Sequence, residues 1–371
     1  MPKKLFFITR ESYFNPGARN RCYYFSEYMR TNGFQSEVFS FVDKYLPISA
    51  GREINLKFYQ KLKLIYLAFI DLCKIGTNSI FIINRFNYHS IAAWTAAFCK
   101  NIPMVFDMDD WESREQINNV YGIYPRSKAE YLTRKIAGNS KFCIASSRYL
   151  ENYLKKYNKK VYYLPTGVDL NKFFKTFPKE KDDFIFSWHG SINRPEIVRY
   201  LKFICDCFIA LCDKYPHIRL YFAGSGVYSK DFLELLKEYQ CEKIVYKGYI
   251  DYKNMPSYLD SIDVGLVPLL EASRFNLSKS PVKIFEYMAK AKAVIASNVG
   301  EASFIIDHGV NGFLASTREE FISIMERLIK DKQLLIKIGD NAFDKIKKEF
   351  SLHALAGRFY SYISDNFKDK C

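Results

Sequence analysis

Short apolar runs alternate with longer stretches of helical period along almost the whole chain. Leu5–Thr9, Glu37–Phe41, Ser79–Ile83, Pro103–Phe106, Lys141–Ser146 and Val161–Leu164 read as strands. Several are apolar at consecutive positions, as strands buried on both faces of a parallel sheet are. Helical spacing fills the gaps, at about Ala18–Thr31, Leu56–Lys74, Ile91–Cys99 and Tyr149–Tyr157. A second series opens with Phe184–Ser187 and a long helix from Pro195. It continues through strands at Ile218–Ala223, Lys243–Lys247, Asp263–Pro268, Ala293–Ala296 and Gly312–Ala315. Two helices then run to about Glu349, and Leu352–Phe367 is a last helix by pattern. Strands alternating with helices predict an α/β fold with parallel sheets.

A length of 371 residues suits two domains. The polar stretch Lys175–Asp183 predicts the linker, giving a first domain over 1–173, a second over 184–350 and a terminal helix over 351–371. No Gly-x-Gly-x-x-Gly follows the first strand, so the dinucleotide fingerprint is absent. The loop there contains Asn15-Pro16-Gly17, a turn signal.

Charge narrows the partners. The formal net charge is +15, which fits nucleic acid, an anionic membrane surface or phosphorylated substrates. The lysines are dispersed, and neither zinc-finger spacing nor an RNA-binding signature accompanies them, so nucleic acid is set aside. Nine cysteines lack Cys-x-x-Cys spacing, and Cys205 and Cys207 point to different helix faces. They predict neither a metal nor a redox site, and they suit a reducing compartment. The apolar run near Met1 is too short for a signal peptide, and no stretch approaches the roughly 18 apolar residues of a membrane span. A cytoplasmic protein is expected, with any membrane contact peripheral. The basic amphipathic stretch Leu56–Lys74 has two readings: a helix lying on an anionic membrane, or one packed on the sheet.

The stretch from Ser278 to Gly312 carries the most chemistry. Pro281 suits a helix's first turn, and Ser278 and Ser280 stand where N-capping residues do. Ile284, Phe285, Met288 and Ala289 make an apolar face, with Glu286 off it near Lys283 and Lys290. A helix N-terminus presents free N–H groups to an anion, and a carboxylate one turn on can accept two hydroxyl hydrogen bonds. One reading is therefore a pocket for a diphosphate joined to a ribose. The other is a surface helix whose Glu286 pairs with its lysines. The acidic run Asp107-Met108-Asp109-Asp110-Trp111-Glu112 closes a strand where open α/β sheets bind ligands. It can hold a metal, contact sugar hydroxyls or cap a helix.

The run SPVKIFEYMAKAKAVIA resembles the nucleotide-sugar signature of GT-B glycosyltransferases, especially the large retaining family four. Pro165–Phe173, PTGVDLNKF, resembles the segment where that family leaves its first domain. The resemblance implies two Rossmann-like domains facing a cleft, with a terminal helix crossing back to the first. It implies a nucleotide-diphosphate sugar as co-substrate, no cofactor and no bound metal, and a glycan or lipid-linked acceptor. The donor would contact Glu286, Lys283, Ser280, Pro281, Val282, Arg194, Gly190, Ser191, Ser278 and Tyr249. Gly17, Arg19 and Arg21 would lie toward the acceptor. Asp109 and Asp110 are the catalytic candidates, Asp109 being the nearest to a base. His189 reads as a satisfied loop histidine. The chain departs from the family at Ser278, where a glutamate is usual, and at Ala291 and Ala293, usually Gly and Pro. A sugar-nucleotide epimerase of similar fold and an inactive sugar-nucleotide binder are the alternatives.

Overall fold

The structure is a computed structural model that describes residues 4–47, 56–111, 126–176 and 181–367. Glu112 of the acidic run, part of the expected linker and the last residues of the chain lie outside the described residues. The chain divides into two compact units. One comprises Met1–Gly167, Leu277–Ser280 and Leu352–Cys371; the other comprises Val168–Asn276 and Pro281–Ser351.

The first unit is built on a parallel sheet of β1 (Lys4–Thr9), β2 (Ser36–Ser40), β3 (Ser79–Asn84), β4 (Met104–Met108), β5 (Phe142–Ala145) and β6 (Val161–Tyr163), in the order β2-β1-β3-β4-β5-β6. Strand alternation gives each face its own core. Phe6 and Ile8 pack with Leu64, Ala68 and Leu72 of the helix Phe58–Cys73, and with alanines of the helix Tyr88–Lys100. Leu5 and Phe7 face the other way, onto Leu352, Leu355 and Phe359 of the helix Leu352–Phe367. Phe359 stacks on Phe25 at 5.4 Å, and the Tyr362 ring lies 4.1 Å from Tyr162. The last helix of the chain thus completes the core of the first unit.

The second unit repeats the plan with β7 (Phe184–His189), β8 (Ile218–Ala223), β9 (Ile244–Gly248), β10 (Val264–Val267), β11 (Ala293–Ser297) and β12 (Phe313–Ala315), ordered β12-β11-β10-β7-β8-β9. Renumbered from its own first strand, that is the doubly wound dinucleotide-fold order. In each sheet the strand order reverses beside the first strand, at β1/β3 and at β7/β10. Ligands of open α/β sheets bind at such switch points, beyond the carboxyl ends of the strands.

Three expectations change. The division between units falls at Gly167/Val168, ahead of the polar stretch: Val168 N–H bonds the carbonyl of Phe350, and Phe173 is buried in the second unit's core. Asn15-Pro16-Gly17 is a helix start. The Asn15 side chain caps the N–H groups of Gly17 and Ala18, with Pro16 in the first turn where no N–H is missed. That helix passes through a π-turn at Arg19–Tyr23 before Tyr24–Thr31. Finally, β7 runs on through Trp188 and His189, which sequence reading assigns to a loop.

Candidate functional site

In the second unit, the carboxyl end of β7 and the helix Val282–Ala289, which follows β10, come together at the switch point. Their junction is the side chain of Tyr287. Its hydroxyl donates to the Ser187 carbonyl at 3.0 Å, and its ring meets His189 edge-on at 4.7 Å. Burial pushes this phenol well above its usual range, so it stays a neutral donor. Gly265 of β10 makes room for the ring, since a Cβ there would lie 2.3 Å from it.

Glu286 is not off the buried face. Every side chain from Ile284 to Ala289 is buried, and Glu286 is 8% exposed. Its carboxylate pairs with a histidine: His189 Nε2–H donates to Oε2 at 2.8 Å. Lys290 instead reaches Asp260 at 2.6 Å and the Phe174 carbonyl. His189 is 4% exposed, and its Nδ1 is buried with no hydrogen-bond partner among the described residues. A buried carboxylate held by one donor keeps lone pairs for others.

Lys283 lies one turn before Glu286. Its Nζ sits 4.0 Å from the centroid of the Trp188 ring, a cation–π contact. Gly190 lies beneath it with φ +150°, a backbone conformation that L side chains rarely adopt, and a Cβ there would come within 2.4 Å of the end of the Lys283 side chain. Ser191 is exposed, and Tyr249, past β9, is 70% exposed. Arg194 occupies the N-cap of the helix Pro195–Cys212 and lays its guanidinium 3.5 Å from the Phe275 ring centroid.

The two serines do not cap the signature helix. Pro281 is its N-cap, without a side-chain bond, and Val282 is its first residue. The Ser280 hydroxyl accepts from the Thr166 N–H at 3.0 Å, and Ser278 closes a short helix, Arg274–Ser278, fully buried.

The first unit has its own polar cluster at the β1/β3 switch point. Arg21 is buried; its Nε donates to Asp107 Oδ2 at 2.8 Å and its Nη1 to the Leu164 carbonyl at 2.8 Å. Arg85, at the end of β3 with φ +60°, grips Asp109 through Nε and Nη2, the latter at 2.9 Å. Asn84 bridges both carboxylates, and Thr9 bonds Asn84. Burial disfavours the Arg21 cation, but Asp107 outweighs it and the guanidinium is held above its usual range. Burial likewise opposes ionisation of Asp109, yet Arg85 and Arg21 prevail and hold it below the usual carboxylate range.

This cluster engages Arg21 and Asp109, two of the residues expected at the acceptor side and the catalytic centre. Arg21 is a buried ion-pair partner whose nitrogens are engaged by Asp107 and the Leu164 carbonyl. Asp109 is a buried carboxylate committed to Arg85, a poor proton acceptor. Asp110 caps the Trp111 N–H at 2.8 Å. Gly17 and Arg85 meet instead: a Cβ on Gly17 would lie 2.5 Å from an Arg85 nitrogen. Arg19 is buried, with its guanidinium 5.9 Å from the Tyr13 ring. Among the described residues, no group of His, Cys, Asp or Glu is arranged to hold a metal ion.

Sequence reading missed His189 as the partner of Glu286, Trp188 as the platform for Lys283, and Arg85. The signal available for the first two was the long apolar strand ending in Trp-His just before a glycine.

These two sheets and their switch points define a class, the GT-B fold of glycosyltransferases. Sucrose-phosphate synthase from Thermosynechococcus elongatus superposes with a TM-score of 0.77 at 16% identity, over 98% of this chain and 99% of that one. HepE of Anabaena, solved in complex with UDP-glucose, gives 0.72 at 16% identity, over 98% and 100%. More particularly, residues 184–331, the body of the second unit, match the family described as glycosyl transferases group 1. The amylovoran biosynthesis glycosyltransferase AmsK of Erwinia amylovora is 29% identical over 115 residues, 30% of this chain and 28% of that protein. The match thus spans under a third of this curated relative's length.

Proposed function

We propose that the chain is a glycosyltransferase. It moves a sugar from a nucleotide-diphosphate sugar to an acceptor hydroxyl, with retention of anomeric configuration, in glycan, polysaccharide or glycolipid biosynthesis. The observation that carries this reading is the buried Glu286–His189 pair at the β7/β10 switch point, one turn along the helix that starts at Val282. The similarity to AmsK, a biosynthetic glycosyltransferase, and to HepE, which binds UDP-glucose, supports it.

In this reading Glu286 accepts hydrogen bonds from the ribose hydroxyls, and His189 fixes its orientation. The diphosphate meets the N–H groups at the start of the helix Val282–Ala289 and the Lys283 ammonium. As the bond from the anomeric carbon to the phosphate oxygen breaks, its electron pair leaves with the diphosphate. Fixed N–H dipoles and Lys283 favour that growing charge over the ground state. The acceptor oxygen bonds the anomeric carbon, and its proton passes to the departing phosphate. Asp109, tied to Arg85, is left out of that transfer.

The acceptor is a glycan or lipid-linked intermediate, and the reaction is cytoplasmic. The cysteines support that location, since the described ones are free thiols and several are buried in the cores. No described helix is long and apolar enough to cross a membrane.

A thermal-shift panel of nucleoside diphosphates and their sugars identifies the donor, and calorimetry with Glu286→Ala tests the site. Loss of affinity supports the reading, and unchanged affinity overturns the site. Incubating the donor alone tests the reaction: a new sugar nucleotide would make the chain an epimerase.

A further inference from the structure

Two consecutive residues of β7 each meet one residue of the helix Val282–Ala289. Trp188 and His189 end the strand, and alternation sends them to opposite faces of the sheet. His189 joins Tyr287 on one face and donates to Glu286. Trp188 lies in the core of the other face, with Phe186, Ile192 and Phe222, and its ring meets Lys283. The ring is 2% exposed and Lys283 is half-buried, so an ammonium 4.0 Å from the ring centroid is partly withdrawn from water. Cation–π attraction strengthens as water is excluded, and indole is the strongest ring for it. Gly190 leaves the space in which the two meet. A Cβ there would lie 2.4 Å from Lys283 Cε and 3.4 Å from Trp188 Cη2.

We propose that Trp188 is a positioning residue: its ring holds the Lys283 ammonium at the start of the helix Val282–Ala289, set for the diphosphate of a nucleotide sugar. This rests on the diphosphate reading of the second unit. Lysine is a point charge on a flexible four-carbon stem, and fixing that stem when a ligand arrives costs rotamer freedom. A ring that holds the ammonium beforehand removes part of that cost from binding. The chemistry of the holder matters. A carboxylate in the place of the ring would cancel the charge and compete with phosphate for the same N–H donors. An aromatic face attracts the ammonium through its quadrupole and leaves the full positive charge in place. The same arrangement serves the reaction, because a cation already in position meets the charge growing on the leaving diphosphate without reorganising.

Fluorinated tryptophan at position 188 tests the proposal, since fluorine draws negative charge off the ring face and barely alters its shape. Proteins carrying mono-, di- and tetrafluorotryptophan there are titrated with inorganic diphosphate by calorimetry, beside the parent. Affinity should fall with each added fluorine, to about tenfold below the parent for the tetrafluorinated ring. Trp188→Phe, with a weaker ring face, should also bind less tightly than the parent. Lys283→Met should weaken diphosphate binding by itself and abolish the dependence on fluorination. A ring that serves only as core packing predicts equal affinity along the fluorinated series, or the same fall in the Lys283→Met background; either result overturns the proposal. So does Lys283→Met binding diphosphate as tightly as the parent. Glu286→Ala separates this failure from that of the wider reading. If Glu286→Ala loses nucleoside diphosphate while the fluorinated proteins bind as the parent does, the site stands and the role of Trp188 falls. If none of these changes alters binding, the diphosphate site falls with it.

Discussion

Glu286 and His189 stand 97 residues apart in sequence and share one hydrogen bond of 2.8 Å inside the second unit. The bond is what makes a buried carboxylate tolerable there, since removing one partner leaves the other without a donor in a low-dielectric site. A hydrogen bond to a charged group contributes about 1.5–3 kcal/mol. We therefore expect His189→Ala to weaken binding of the preferred nucleoside diphosphate about tenfold or more by calorimetry. His189→Gln, which can still donate, should restore most of it. Inorganic diphosphate, lacking a ribose, should bind the parent and His189→Ala alike. An equal loss for both ligands would mean that His189 acts on the helix as a whole and not through Glu286.

The Arg21–Asp107 pair allows a stability test that separates scaffold from site. Both residues are buried, and Arg21 also holds the Leu164 carbonyl. Arg21→Met leaves the buried Asp107 carboxyl without its cationic partner, and breaking such a pair costs about 3–5 kcal/mol. Thermal unfolding of the first unit should shift strongly downward in that variant. Arg21→Met/Asp107→Leu should recover much of the loss, because it removes the stranded carboxyl. Full recovery of stability in the single variant would contradict the ion-pair role.

His89 gives the first unit a pH dependence of definite sign. It lies in the helix Tyr88–Lys100, donates Nε2–H to the Asn84 carbonyl at 2.7 Å and packs on Phe41. Burial lowers its pKa from 6.5 to about 3, with Arg10 and Arg85 adding to the effect against the Asn84 carbonyl. Unfolded, the ring takes up a proton below its ordinary value; folded, it resists until far lower pH. The unfolded state thus binds more protons within that window, so stability is complete above it and falls as the pH drops. The slope for one such group is about 1.4 kcal/mol per pH unit. As the pH drops from about 6.5 toward 4, the urea midpoint of the parent should fall relative to that of His89→Gln, which lacks the titrating ring. Parallel curves across this range would remove His89 as the source.

What could be read in the sequence was what lies close along the chain. The strands from Leu5 to Ala315 follow from apolar runs, and the helix after Pro281 follows from its own period and breaker, because each is decided within a few residues. The features that make a site are pairings across the sheet. His189 meets Glu286, Arg21 meets Asp107 and Arg85 meets Asp109, each through a topology that no local pattern states. Asp109 looked like an available acid because its neighbours in sequence are acids, whereas its neighbours in space are cations. Ser280 looked like a cap because it precedes a helix, yet its hydroxyl serves Thr166. Local capping rules went astray in the other direction at Asn15, where an Asn-Pro-Gly turn signal is a helix start.

Two glycines at the end of the second sheet differ in what they demand, and that difference can be measured. Gly224 follows β8 with φ +147°, and a Cβ there would lie 1.8 Å from the Gly190 carbonyl oxygen. Its N–H bonds the Gly248 carbonyl at 2.7 Å, so the backbone cannot retreat without breaking a bond. Gly248 also has positive φ, +69°, but a Cβ there would meet nothing within 4 Å. Gly248→Ala should therefore cost only the left-handed backbone term, about 1–2 kcal/mol. Gly224→Ala adds a collision of backbone on backbone and must push the Gly190 loop away from Lys283. We expect it to cost about 1–3 kcal/mol more and to weaken diphosphate binding, while Gly248→Ala leaves binding near the parent value. Equal stability losses in the two variants, with binding intact in both, would show that the Gly190–Gly224 approach does not position Lys283.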